Sequence, residues 1–250
     1  MRKFLDVKYG EHEQALVDIY LPDTGNNFQT IINFHGGGLE HGSRKGFTPD
    51  TLSAMFTNAG FAFASVEYRM YPNAKFPEYI EDCAKGIAFV KKYVQDFGGS
   101  GEIIISGQSA GAWMSLMLCL NKKYLANEGI DTEEVKAWFI DSAQTTSHFN
   151  VLTKERGLNK LALRIDELSP MYFLDENSKF SKMMLVLYDN DMPCRYEQNM
   201  LFYKAVLAYN KDAKIDYREV SGEHCSAIKH VNEKGENLYK DLFLDWLIKE

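Results

Sequence analysis

The stretch that most limits how this chain can fold is EIIISGQSAGAW, residues 102–113. Three isoleucines typical of a buried strand lead into Gly107, and small and apolar residues typical of a helix begin at Ala110. A strand and a helix joined this closely nearly collide at Ser109, so the residues two positions to either side must be very small. Gly107 and Gly111 meet that requirement. The stretch therefore predicts a strained turn centred on Ser109, with the N-terminus of a helix directed at it.

The rest of the chain alternates short apolar runs with longer segments of helical period, a pattern typical of a parallel sheet flanked by helices. The predicted strands span residues 15–20, 30–34, 62–67, 102–106, 137–140, 183–188 and 214–220. The predicted helices span residues 49–59, 79–97, 110–120, 195–210 and 236–249. We therefore expect an α/β fold with a mostly parallel central sheet.

Residues 141–182 interrupt this alternation, because their periodicity is weak and they are too many for an ordinary connection. Long excursions in compact domains tend to be lids or binding loops. No repeat, low-complexity tract or linker rich in proline and glycine divides the chain. We expect a single domain over residues 1–250, with a small cap insertion at 141–182 that binds substrate.

Charge and composition exclude several classes of partner. The formal net charge is −7, and Lys and Arg are scattered, which argues against nucleic acid or an anionic membrane surface as a partner. The opening residues contain no apolar run of signal-peptide length, and no run is long enough to span a membrane. These features favour a cytoplasmic protein. The sequence leaves the oligomeric state open.

The four cysteines form no CxxC pair and lie far apart in the chain, at Cys83, Cys119, Cys194 and Cys225. That spacing does not match a zinc site. We interpret them as free thiols, with Cys83 and Cys119 on apolar faces. No metal or cofactor is expected.

A second glycine motif, His35-Gly36-Gly37-Gly38, follows the predicted strand at 30–34. Glycines in this position can approach a phosphate, approach a transient oxyanion or simply form a tight turn. The phosphate interpretation lacks the P-loop lysine and the GxGxxG fingerprint. Together with the Gly-x-Ser-x-Gly turn, the motif favours an oxyanion site.

HGGG at 35–38 and GQSAG at 107–111 together resemble the α/β-hydrolase superfamily, and within it the HGGG-type carboxylesterases and acetyl (xylan) esterases. VDIYLP at 17–22 and the stretch at 65–93 resemble further parts of these esterases. The resemblance implies an α/β-hydrolase fold and a nucleophile elbow at Ser109. It also implies backbone donors to an oxyanion at Gly37, Gly38 and Ala110.

The resemblance implies that an acid and a histidine follow Ser109 in the chain. In the loop DNDMPCRYEQ the implied acid is Asp191, and Asp189 is its rival. The family commonly has a glycine where this chain has Tyr188, so the loop geometry can differ. After the last predicted strand, SGEHCSA places His224 where the base is expected.

These residues predict a Ser-His-Asp mechanism with an acyl-enzyme. The histidine activates Ser109, Asp191 orients the imidazole, and backbone donors stabilise the oxyanion. Four residues are expected to give structural support to the two motifs: His35, Gly36, Gly107 and Gly111.

The expected reaction is hydrolysis of a short acyl ester, such as an acetyl ester of a carbohydrate or another polar alcohol. The expected partner is thus a small-molecule or oligosaccharide ester. Four residues are candidates for substrate contact: Gln108, Trp113, Tyr71 and His148. An amidase, arylformamidase or peptidase with the same triad is the alternative enzyme, and a non-catalytic binding protein of this fold is a further alternative.

Overall fold

The computed structural model describes residues 1–23 and 25–248, except for the side chains of residues 47–50. In these ranges the strands are β1 (Arg2–Lys8), β2 (Leu16–Leu21), β3 (Phe28–Phe34), β4 (Ala62–Val66), β5 (Gly99–Gln108), β6 (Ala137–Asp141), β7 (Met183–Asn190) and β8 (Ile215–Glu223). The α-helices are α1 (Phe47–Asn58), α2 (Glu78–Tyr93), α3 (Ala110–Leu120), α4 (Lys123–Asn127), α5 (Phe149–Arg156), α6 (Arg195–Tyr209) and α7 (Leu238–Ile248).

The eight strands form one sheet in the order β1-β2-β4-β3-β5-β6-β7-β8. The pairs β1-β2 and β2-β4 are antiparallel, and every pair from β4 to β8 is parallel. The prediction of a mostly parallel α/β sheet is therefore confirmed. Because β3, β5, β6 and β7 run in the same direction, the loops that follow them emerge at one edge of the sheet.

Helices cover both faces of the sheet, which explains why β4 and β6 are buried along their full length. The first apolar layer contains α2, α3 and α6, and the second contains α1 and α7. All eleven residues of α3 are buried, so this helix is apolar around its whole circumference. Cys83 and Cys119 lie in the first layer, and all four cysteines are free thiols.

Several elements differ from the sequence-based predictions. Strand β1 was not predicted, because it lies at the edge of the sheet and most of its side chains are exposed rather than apolar and buried. The predicted helix at 79–97 ends as α2 at Tyr93 and continues as a 3-10 turn to Phe97, where Gly98 adopts a left-handed conformation with φ 94°. The predicted end of the last helix, Lys249, lies outside the described residues.

No helix among the described residues is both long and apolar enough to cross a membrane.

The sharpest packing constraint lies where α3 meets the ends of β3 and β5. A Cβ atom added to Gly107 would lie 2.4 Å from the carbonyl carbon of Gly111, and one added to Gly111 would lie 2.1 Å from the carbonyl oxygen of Phe34. Real Cβ atoms essentially never approach backbone atoms closer than 3.0 Å. The two glycines therefore allow the helix to begin directly above the sheet edge.

We predict that Gly111→Ala lowers the free energy of unfolding by about 3 kcal/mol or more, because overpacking against backbone atoms cannot be relieved by a rotamer change. The higher helix propensity of alanine relative to glycine offsets only about 1 kcal/mol of this loss, so the clash makes the substitution destabilising. Urea unfolding followed by circular dichroism measures the difference.

Gly60→Ala is the matched control, because Gly60 has φ 89° and its added Cβ would meet nothing within 4 Å. We expect it to cost about 1 kcal/mol, from backbone strain alone. Equal losses in the two variants would contradict the proposed close contact at Gly111.

Candidate active site

Ser109 occupies a sharp turn between β5 and α3. Its backbone has φ 55° and ψ −113°, a sparsely populated conformation for a residue with a side chain. The N–H of Ser109 donates to the carbonyl of Asp141 at 2.9 Å, and the N–H of Trp113 donates to the carbonyl of Ser109 at 3.0 Å. The turn is thus held by the neighbouring strand on one side and by the first turn of α3 on the other.

The glycine loop after β3 lies directly against this turn. A Cβ atom added to Gly36 would lie 3.2 Å from the Cβ of Ser109. Because glycine has no Cβ atom, the loop can lie this close to Ser109. Gly37 has φ 113°, and its carbonyl accepts hydrogen bonds from the N–H groups of Glu40 and His41 at 3.1 and 3.0 Å. The loop is therefore a defined turn beside the Ser109 side chain.

His35 is bonded within the loop. Its Nδ1 atom lies 2.7 Å from the carbonyl oxygen of Gly36, and its Nε2 atom lies 3.0 Å from Oε1 of Glu67. A carbonyl and a carboxylate both accept hydrogen bonds, so each ring nitrogen of His35 faces an acceptor. The ring of Tyr68 stacks on His35 at 4.3 Å between centroids, and the Tyr68 hydroxyl donates to the His35 carbonyl at 2.7 Å.

A buried ion-pair network supports Glu67 from the opposite side. The guanidinium of Arg44 pairs with Glu67 and Asp18 at 3.2 Å each and also contacts Asp6. Burial raises the pKa of Glu67, but the bonds from His35 and Arg44 outweigh that effect and leave the pKa below its ordinary value. Ion pairs therefore link the glycine loop to β1 and β2.

His224 and Asp191 form a close pair at the ends of β8 and β7. His224 Nδ1 donates to Asp191 Oδ1 at 2.5 Å, and the Asp191 side chain is only 2% exposed. The rival acid, Asp189, is exposed and accepts from the N–H of Gly222 at 2.8 Å instead. The geometry therefore pairs the histidine with Asp191 rather than with Asp189.

Ser142, the first residue after β6, contacts both members of this pair. Its hydroxyl donates to Asp191 Oδ2 and lies 2.8 Å from His224 Nδ1. Burial raises the pKa of Asp191. The hydrogen bonds from His224 and Ser142 lower this pKa by more than burial raises it, so the net shift is downward. Asp191 is therefore held in its charged form beside the imidazole.

Two more buried ionisable groups adjoin the pair. Burial raises the pKa of Asp141 to about 8, so this carboxyl is mostly protonated at neutral pH and adds little negative charge beside Asp191. The guanidinium of Arg195 is buried and donates to the carbonyl of Ser142 at 2.8 Å. Burial lowers the pKa of Arg195, and the charge of Asp191 opposes that shift.

Ser109, His224 and the glycine loop line one cavity of about 580 Å³. The apolar part of its wall includes Phe149, Met192 and Ile228, and the polar part includes Glu40, His41 and Lys229. Among the described residues, no three His, Cys, Asp or Glu side chains are grouped so as to hold a metal ion.

The candidate substrate contacts are corrected by the structure at three of four positions. Trp113 and His148 are buried and lie beside each other, with ring centroids 5.3 Å apart and ring planes tilted by 58°. Tyr71 bonds to Glu155 and does not line the cavity. Trp113 belongs to α3, all of whose residues are buried, so its ring faces the core. Gln108 does line the cavity, although its amide nitrogen donates to Asn33 and Tyr239.

Several residues of the site were not predicted from the sequence, among them Ser142, Asn150 and Met192. Ser142 carried a usable signal, since a polar residue directly after a buried parallel strand lies at the edge where sites form. Asn150 lies in α5, whose weak periodicity concealed it. Its amide donates to the Gly38 carbonyl at 2.6 Å and to Glu40 at 2.8 Å.

We predict that Glu67→Gln lowers the free energy of unfolding at pH 7 by about 3 kcal/mol, because it leaves buried Arg44 with fewer countercharges. The folded pKa of Glu67 is lowered, so its contribution is complete above the ordinary pKa of 4.5 and is lost as the pH falls through the folded value. The difference between wild type and variant should shrink at acid pH, as measured by urea unfolding at several pH values.

Glu78→Gln is the control for this prediction. Glu78 pairs with Arg69 at 3.2 Å but is 43% exposed, so its loss should change stability by less than about 1 kcal/mol. A difference for Glu67→Gln that does not vary with pH would rule out the charge-based account.

Comparison with known proteins identifies a family model and similar proteins for this chain. Residues 17–206 match the model of the BD-FAE family. A probable isoprenylcysteine alpha-carbonyl methylesterase of Oryza sativa subsp. japonica is 29% identical over 147 residues, which are 58% of this chain and 33% of that protein. The matched part thus spans about a third of that curated relative.

Two solved structures resemble the whole chain. A truncated carbohydrate esterase from gut microbiota has a TM-score of 0.78 at 18% identity, covering 99% of this chain and 95% of its own. A thermophilic esterase of Thermogutta terrifontis with propionate bound has a TM-score of 0.76 at 19% identity, covering 99% and 93%. These likenesses confirm the α/β-hydrolase fold. Because the family model matches more than half of the chain, the protein is a member of the BD-FAE family.

Proposed function

We propose that this protein is a serine carboxylic-ester hydrolase. The observation that carries the proposal is the convergence of three independent features on one cavity. These are the strained turn at Ser109, the glycine loop at 35–38, and the His224–Asp191 pair. The curated relative and both solved structures are described as esterases, which supports the same reaction class.

In the proposed reaction, the Ser109 hydroxyl attacks the ester carbonyl while His224 Nε2 accepts the serine proton. Asp191 accepts from Nδ1, which fixes the tautomer that leaves Nε2 free for this task and stabilises the imidazolium that forms. The imidazolium then protonates the departing alcohol. Water hydrolyses the acyl-enzyme by the same sequence, with His224 again acting as base and acid.

The tetrahedral intermediate carries an oxyanion that needs backbone donors. The N–H of Ala110 belongs to the unpaired first turn of α3, where the helix dipole also favours negative charge. Gly36 contacts Ser109 closely, which brings the following residues of the loop to the same side. We assign the remaining donors to the N–H groups of Gly37 and Gly38.

The proposed substrate is a short acyl ester of a carbohydrate or another polar alcohol. The cavity combines apolar wall residues, suited to a small acyl group, with Glu40, His41 and Lys229, suited to hydroxyl groups. The carbohydrate esterase and the propionate-bound esterase named above support this choice.

We further propose that residues 141–182 act as a small cap within a single domain. Helix α5 contributes Phe149 to the cavity wall, and Asn150 from the same helix bonds to the Gly38 carbonyl. The segment thus contacts both the substrate space and the glycine loop, which suits a role in selecting the acyl or alcohol group.

We predict that Ser109→Ala lowers kcat by about 1,000-fold or more while the fold is retained. A panel of p-nitrophenyl esters from acetate to decanoate, together with acetylated oligosaccharides, measures rate and chain-length preference. The rate should be highest for acetate to butyrate. Ser115→Ala is the control, because Ser115 is buried in α3 and bonds only to the Gly111 carbonyl among the described residues.

A chain-length maximum at eight carbons or more would refute the short-acyl assignment. Faster cleavage of matched anilides than of esters would replace the esterase by an amidase. If Ser109→Ala and wild type turned over every ester equally, the triad proposal would fail.

We predict that Asp191→Asn lowers kcat by about 1,000- to 10,000-fold, because the amide stabilises the wrong imidazole tautomer. Asp189→Asn should lower it by less than about 3-fold, because Asp189 is exposed and bonds to the Gly222 backbone. Steady-state kinetics of both variants on the best ester gives the comparison. If the two variants exchanged ranks, Asp189 would be the acid.

A further inference from the structure

We infer that Ser142 is a positioning residue of the triad, and that its hydroxyl locks the Asp191 carboxylate against His224. This inference rests on the proposed function. Ser142 lies one residue beyond β6, in line with Ser109 one residue beyond β5, since Gln108 and Asp141 are paired in register. Neighbouring parallel strands therefore present two serines at the same edge of the sheet.

The bonds to Asp191 show why one more donor is needed. Oδ1 accepts from His224 Nδ1 at 2.5 Å and from the N–H of Met192 at 2.6 Å. Within the described part of the chain, the hydrogen-bond partner of Oδ2 is the Ser142 hydroxyl. Without it the carboxylate is held at one oxygen, and rotation about its Cβ–Cγ bond is restrained less.

Ser142 also faces the imidazole directly. Its Oγ lies 2.8 Å from His224 Nδ1, so the Nδ1 proton is shared between Asp191 Oδ1 and this hydroxyl oxygen. The hydroxyl proton of Ser142 goes to Asp191 Oδ2. Both contacts stabilise the imidazolium that forms when Ser109 loses its proton, because a positive imidazole strengthens the bond at Nδ1.

The backbone of Ser142 is fixed on both sides of its side chain. Its N–H donates to the Val186 carbonyl at 3.0 Å, and its carbonyl accepts from buried Arg195 at 2.8 Å. Ser142 adopts φ 52°, which glycine tolerates better than serine. A residue kept in a conformation that disfavours its own side chain suggests that the hydroxyl has a function.

That strain separates catalysis from stability in an experiment. Ser142→Ala removes the hydroxyl and keeps the strain, whereas Ser142→Gly removes both. We expect kcat to fall about 10- to 100-fold in each variant, with KM within about 3-fold of wild type. The melting temperature of Ser142→Gly should equal or exceed that of Ser142→Ala. Ser147→Ala is the control, because this buried serine of the same loop bonds to Asp166 and the Arg164 carbonyl instead.

A double-mutant test identifies the route of the effect. In an Asp191→Ala background, Ser142→Ala should lower kcat by less than it does alone, because the bond to Asp191 is already lost and only the direct contact with His224 remains. A full loss in that background, or an unchanged kcat in the single variants, would overturn the inference.

A second readout does not need turnover. The strongly bonded Nδ1 proton of His224 should give a far-downfield proton NMR signal in wild type. The signal should shift or broaden in Ser142→Ala and stay in place in Ser147→Ala. An unchanged signal in Ser142→Ala would overturn the inference even if ester hydrolysis failed. Wild type with this signal but no Ser109-dependent activity would refute the proposed function alone.

Discussion

The site depends on the close contact between the first turn of α3 and the ends of β3 and β5. Gly107 and Gly111 allow that contact, because any side chain there would overlap backbone atoms. The contact forces Ser109 into its strained turn and brings the N-terminus of α3 beside it. It also sets the distance between the glycine loop and the serine. Every other group of the site is positioned relative to this turn.

Electrostatic contacts then hold the loop that the packing has placed. His35 lies between the Gly36 carbonyl and Glu67, and Arg44 neutralises Glu67 from the far side. Buried charges are costly unless they are paired and hydrogen-bonded. The network therefore has a strong geometric preference, which is useful for a loop whose glycines have little stiffness of their own.

The connection between β6 and β7 contributes more than a wall of the cavity. Ser142 at its start contacts Asp191 and His224, and Asn150 in α5 bonds to the glycine loop. The same segment thus touches both halves of the proposed catalytic machinery. Changes in its packing are therefore expected to alter both the cavity wall and the geometry of the proposed triad.

Much of the fold followed from the sequence because its signals are local. Apolar runs alternating with helical segments predicted the parallel sheet, and the small residues around Ser109 predicted the turn. Strand β1 was missed because an exposed edge strand needs no apolar run. Trp113 and His148 were misplaced because an aromatic ring near a motif carries no local sign of which way it points.

The sequence by itself determined the sheet, the strained turn and the order of the candidate triad residues. Tertiary structure decided which polar groups meet at the sheet edge. Asp191 rather than Asp189 faces His224, and the Ser142 hydroxyl contacts both Asp191 and His224. These contacts join residues from separate strands and loops, and they depend on the parallel register of β5, β6 and β7. Such register is set by packing of the whole sheet, which no short stretch of the chain encodes.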